Sequence, residues 1–219
     1  MMRAFIYDMD GVIVDSEIIH MKAEKILLEH YGIQADEALL MPYRGTSDAA
    51  MFEDIRLKYN AAYDVEGIVA EKDVLMRRLL QEEELVPIDG SLALIEATDA
   101  LRARGIYTAI ASSSPHEVIS HVTESFGIAD KFDVIVSGAE LPVSKPDPAI
   151  YLQTAQLLGV HPGDCLVLED AAAGAQAATA AGMTCIGFRS PHSGMQDFSA
   201  CARIINHPLE IRLNDYFAW

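Results

Sequence analysis

Ala4-Phe5-Ile6-Tyr7-Asp8-Met9-Asp10-Gly11 is the stretch on which the fold turns. A run of four apolar residues without polar alternation, too short for a helix, predicts a strand buried on both faces. Such strands belong to parallel sheets covered by helices. Two carboxylates and a glycine follow at once, so they stand at the strand's carboxyl end. In open parallel sheets that end is where ligands bind.

Outward from this segment, short apolar runs recur at 106–111, 132–136, 166–168 and 184–188. Helical patterns separate them at 91–104, 116–126, 148–158 and 174–180. Gly105, Gly127, Gly159 and Gly182 follow these helices, where left-handed C-caps are expected. Strands alternating with helices predict an α/β fold, a Rossmann-like parallel sheet with right-handed crossovers. One interval breaks the rhythm: 20–31, 48–59 and 65–80 all read as helices, with no strand among them. The expected organisation is a catalytic core of residues 1–14 and 85–219, with an α-helical cap domain inserted at 15–84. Its hinges are expected near Val14–Ser16 and Glu84–Pro87.

The 219 residues, 51% of them hydrophobic, suffice for one medium core and a smaller insert. A net charge of -17 opposes binding to nucleic acid and to anionic membranes. Three cysteines with no C-x-x-C pair argue against a disulfide framework. Cys165 and Cys185 lie in apolar runs and read as buried, inert thiols. There is no long apolar run and no signal-peptide pattern, so a cytoplasmic monomer is expected.

The ends of the other strands carry complementary chemistry. Ser112-Ser113-Ser114 follows the second, Ser144-Lys145-Pro146 the third by way of a loop, and Glu169-Asp170 the fourth. Acids, a hydroxyl and a lysine converging on one sheet end suit phosphoryl transfer. A phosphate monoester repels an anionic nucleophile, and its hydrolysis needs on the order of 20 kcal/mol of help. Mg²⁺ is the natural neutraliser, held by a few carboxylates. Asp8 is the candidate nucleophile and Asp10 the candidate general acid and base. Lys145, Ser112 and Ser113 are candidate phosphate contacts, and Gly11 allows the sharp turn over a bound phosphate. Asp8, Asp10, Glu169 and Asp170 are the candidate metal residues.

Plainer readings stand beside these. Ser112 could cap the next helix, and Glu169 could be a structural partner of Lys145. His116 and His121 are five apart, about 140° around a helix, which does not suit a shared zinc ion. Lys72, Arg77 and Arg78 read as solvated helix charges. Arg44, beside Gly45, is the cation retained as a substrate contact.

With its motifs assembled, the chain resembles the haloacid dehalogenase superfamily, within it the β-phosphoglucomutase and phosphoglycolate-phosphatase-like group. The resemblance rests on the segments 8–17, 111–114, 144–148 and 168–170 and spans essentially the whole length. It implies the same core, a helical cap and Mg²⁺, with the Asp10 carbonyl on the metal and Glu169 supporting it. His20 matches a cap-hinge histidine of the mutases. Two positions depart from their pattern: Asp48 stands where mutases carry arginine, and His116 where they carry asparagine. An anion at position 48 would oppose a second phosphate. The resemblance therefore implies a Mg²⁺-dependent phosphatase of a small phosphorylated metabolite, a sugar phosphate. β-Phosphoglucomutase is the alternative. A non-catalytic phosphometabolite-binding protein fits less well, because Asp8 and Lys145 are both retained.

Overall fold

The computed structural model describes residues 1–43, 47–192 and 194–217. The chain opens with strand β1 (Ala4–Tyr7), in which every residue is fully buried. Then come helices α1 (Glu17–His30), α2 (Glu37–Leu40), α3 (Asp48–Tyr59) and α4 (Val65–Glu82). Alternation follows: α5 (Ser91–Asp99), β2 (Tyr107–Ser112), α6 (His116–Ser125), β3 (Val134–Ser137), α7 (Ala149–Leu158), β4 (Cys165–Glu169), α8 (Ala172–Ala180), β5 (Thr184–Phe188) and β6 (Arg203–Ile205).

The strands form one sheet in the order β3-β2-β1-β4-β5-β6, every neighbouring pair parallel. This is a Rossmann-like α/β core. The two halves wind outward from β1 and β4, which places the switch point beside Asp8. Register sets the site. Tyr7 pairs with Ile110 on one side and Leu168 on the other. Asp8 therefore emerges level with Glu169 and one residue short of Ser112.

The chain divides into two compact units, Met1–Asp15 with Leu85–Trp219, and Ser16–Glu84. In the first, the two chain crossings run side by side: Asp15 N–H donates to the Val86 carbonyl at 2.8 Å, and Ile88 N–H to Ile13 at 2.9 Å. Its core buries Tyr7, whose hydroxyl shares a 2.8 Å hydrogen bond with Thr98 and so avoids the cost of an unpaired buried polar group. Helix α8 presents Ala175, Ala177 and Ala178 to the sheet, all fully buried. Side chains this small let the helix axis approach closely. The second unit is entirely helical among the described residues, with α1 and α3 packed on α4.

Three local features differ from expectation. The helix from Ser91 ends at Asp99 and gives way to a 3₁₀ turn, Arg102–Arg104, before Gly105 at φ 77°. α2 is one extra turn, nucleated by Asp36, whose carboxylate accepts the Leu39 N–H at 2.9 Å. β6 has only three residues of mixed burial, too few for any period to show. No helix among the described residues is long and apolar enough to cross a membrane.

Candidate active site

The loop after β1 is built to hold its two carboxylates still. Val12, Ile13 and Val14 all donate backbone N–H bonds to the Met9 carbonyl, at 3.2, 2.8 and 3.1 Å. Met9, Val12, Ile13 and Val14 are fully buried and anchor the loop from below. Gly11 sits at φ 72°, where a side chain is disfavoured. A Cβ there would also lie 1.9 Å from Asp170 Oδ2. The Asp170 carboxylate is thus a neighbour that demands glycine here.

Lys145 is the organising cation. Its ammonium donates to Asp8 Oδ1 at 2.6 Å, to Glu169 Oε1 at 2.6 Å and to the Ala111 carbonyl at 3.2 Å. These contacts use all three of its donors. The ammonium also lies 5.1 Å from the centroid of the Tyr151 ring. The Tyr151 hydroxyl donates to Glu169 Oε1 at 2.6 Å, and the Ala171 N–H donates to Glu169 Oε2 at 3.2 Å. Glu169 is therefore held from three sides. It lies over the first turn of α8, where a Cβ at Gly174 would fall 1.7 Å from Oε1. Both Tyr151 and Gly174 were missed in the sequence, where Tyr151 reads as a core aromatic of an amphipathic helix and Gly174 as a helix start.

Asp10 turns the other way. Ser114 Oγ donates to its Oδ2 at 2.8 Å and Ser112 Oγ at 3.3 Å. Ser112 Oγ in turn accepts the Ser114 N–H at 3.0 Å. Ser113, a candidate phosphate contact, is exposed, and Ser114 is the serine that joins Ser112 on Asp10.

Asp8, Glu169 and Asp170 are buried and offer oxygens that all lie within 4.8 Å of one another, the one such acidic or histidine group among the described residues. Oxygen-only donors at this spacing fit a hard divalent cation. Four carboxylates share the neighbourhood with a single ammonium. Burial pushes Asp8 up to about 8; Lys145 opposes this, while Glu169 and Asp10 add to it. Burial alone would lower Lys145, but Asp8 and Glu169 outweigh it and hold the ammonium above its ordinary range.

His20 is partly exposed on α1 in the helical unit. Arg44 falls outside the described residues. In the same unit Lys72 is 1% exposed, with its ammonium 2.5 Å from both Glu24 Oε1 and Asp48 Oδ1. It is a buried tie between helices α1, α3 and α4, contrary to its reading as a solvated charge.

Residues 2–182 match the model of the haloacid dehalogenase-like hydrolase family. The chain belongs to this family. As a haloacid dehalogenase-like hydrolase it has curated relatives of similar length. It is 31% identical to the fructose-1-phosphate phosphatase YqaB of Escherichia coli, over 84% of this chain and 95% of that one. It is 34% identical to the β-phosphoglucomutase of Bacillus subtilis, over 85% and 83%. Among solved structures, CbbY from Rhodobacter sphaeroides in complex with phosphate superposes with a TM-score of 0.73 at 25% identity, covering 96% of each chain.

Proposed function

We propose that this hydrolase is a Mg²⁺-dependent phosphatase of a small phosphorylated metabolite, a sugar phosphate, working through an aspartyl-phosphate on Asp8. The observation that carries the reading is the geometry of Lys145. Its ammonium bridges Asp8 and Glu169 at 2.6 Å each, beside the oxygens of Asp8, Glu169 and Asp170 gathered within 4.8 Å. A lysine so fixed draws a phosphoryl group toward the carboxylate that is to attack it. The sugar-phosphate substrate is supported by the named activity of the 31%-identical relative.

Asp8, Glu169 and Asp170, with the carbonyl of Asp10, are the residues that would hold Mg²⁺. The buried oxygen-only cluster fits such an ion, and the lack of a Cβ at Gly11 lets the Asp170 carboxylate lie beside the loop. When bound, it would neutralise charge on the phosphoryl oxygens. One Asp8 oxygen attacks phosphorus as the bond to the leaving oxygen breaks, and Asp10 gives that oxygen a proton. Water then attacks the acyl-phosphate, yields its proton to Asp10 and releases inorganic phosphate, regenerating Asp8. Ser112 and Ser114 hold the Asp10 carboxylate between these tasks. The helical unit Ser16–Glu84 serves as the cap, and His20 and Arg44 are its proposed substrate contacts.

The mutase reading keeps one specific support besides the 34%-identical β-phosphoglucomutase. Asp48, set against a second phosphate in the sequence, is already paired with Lys72 at 2.5 Å. Its charge therefore repels an incoming phosphate less than a lone carboxylate would. Phosphate release from a panel of sugar phosphates with Mg²⁺ tests the proposal. It is expected to vanish in Asp8→Asn and on chelation of the metal. Conversion of β-glucose 1-phosphate to glucose 6-phosphate with a bisphosphate primer, without phosphate release, would replace it with the mutase.

A further inference from the structure

Away from the carboxylates, two thiols meet at the β5–β6 edge of the sheet. Cys185 lies in β5 and is 1% exposed; Cys201 lies in the segment before β6 and is partly exposed. Their sulfurs are 3.7 Å apart and share an S–H···S hydrogen bond. The backbone holds them there. The Cys185 carbonyl accepts the Ala202 N–H at 2.9 Å, and Ile186 is in register with Arg203. Neighbouring strands lie about 4.8 Å apart and each residue rises about 3.3 Å. An offset of one residue then puts the two Cα atoms about 6 Å apart, within the disulfide window of roughly 4.4–6.8 Å.

We propose that Cys185 and Cys201 form an oxidation site that hydroperoxides convert to an intramolecular disulfide. Cys201, the accessible member, is the one attacked first. The hydrogen bond between the two thiols holds Cys201 below its ordinary range, while that bond and burial push Cys185 up. The Cys201 thiolate takes the terminal oxygen of hydrogen peroxide as the O–O bond breaks; the departing hydroxide gains a proton and leaves as water. The resulting sulfenic acid faces Cys185 across the existing contact. The Cys185 sulfur displaces the sulfenic oxygen, which leaves with the thiol proton as a second water. Two thiols lose two electrons, and one peroxide becomes two waters. A dithiol reductant reverses the change. Cys165 has no part in this, because its sulfur is buried against the His161 carbonyl at 3.6 Å.

The two ends of the new bond are 16 positions apart in sequence. Closing a loop of that size restricts the unfolded chain and raises Tm by an amount on the order of 5–10 °C. The test treats the full-length protein with a few equivalents of hydrogen peroxide, then counts thiols after denaturation and takes the intact mass. The expected result is a fall from three titratable thiols to one, a mass lower by about 2 Da as two hydrogens leave, and a peptide linking residues 185 and 201. Dithiothreitol restores all three thiols. Cys201→Ser and Cys201→Ala, changed at the more exposed partner, are expected to give no linked peptide and no rise in Tm. Three thiols surviving the treatment would overturn the proposal. So would accumulation of Cys201 sulfinate without a crosslink, or a disulfide that includes Cys165.

Discussion

Asp8→Asn probes the electrostatics of the acid cluster most directly. Asp8 is buried beside Asp10 and Glu169, with Lys145 as the facing cation, and its carboxyl is pushed from 3.8 to about 8. The folded pKa is above the unfolded one. Between pH 3.8 and about 8 the native state therefore binds more protons than the unfolded state, and stability falls as pH rises through that window. Each unit of the window corresponds to about 1.4 kcal/mol. Asparagine has the shape of the protonated acid and no proton to hold. Relative to wild type in a chelator, the variant should gain about 4 kcal/mol between pH 5 and pH 8. For a chain of this size that is a Tm advantage growing by roughly 10 °C. Lys145 keeps two of its three acceptors, so the variant should fold. Thermal unfolding of both proteins at several pH values gives the answer. Added Mg²⁺ should raise wild type more than the variant and narrow the gap at pH 8. A Tm difference that stays flat or shrinks from pH 5 to pH 8 would refute the reasoning, because Lys145 alone would then balance the cluster.

Tyr151→Phe keeps the ring over Lys145 and removes only the 2.6 Å bond to Glu169. It should lower kcat about 10-fold with little change in KM, at a stability cost of about 1 kcal/mol; steady-state kinetics and urea melts measure the two separately. Gly174→Ala places a methyl 1.7 Å from the resting position of Glu169 Oε1, so Glu169 must move. Stabilisation by Mg²⁺ in a melting assay should fall sharply, while the metal-free Tm changes far less. Lys72→Met strands Glu24 and Asp48 inside the helical unit. Because Asp48 is one-third exposed, the loss should be about 2–3 kcal/mol, below that of a fully buried pair. Chemical denaturation should report that loss, and an unchanged midpoint would show that the tie contributes nothing.

Much of this protein is legible locally. Ala4–Tyr7 and Thr184–Phe188 are strands with the bounds read from the sequence, because fully buried parallel strands must be short unbroken apolar runs. Asp8, Asp10, Ser112, Glu169 and Asp170 could be picked out because each stands where an apolar run stops, and Lys145 because it follows the third strand by way of a loop. In a parallel sheet, strand ends meet at one edge whatever else the chain does. Which side chains then touch was a tertiary matter. Tyr151 is indistinguishable in sequence from any other buried helix aromatic, and its bond to Glu169 depends on how α7 lies against β4. Ser114, two residues past the end of β2, reaches Asp10 with its hydroxyl, a contact no local pattern announces. Lys72 carries the same local pattern as an exposed lysine, and only the packing of α1, α3 and α4 encloses it. Cys185 and Cys201 are apart in sequence and meet through the pairing of β5 with β6. Periodicity records which way one element faces. It holds no information on the neighbour that a second element, folded against it, brings within hydrogen-bonding distance.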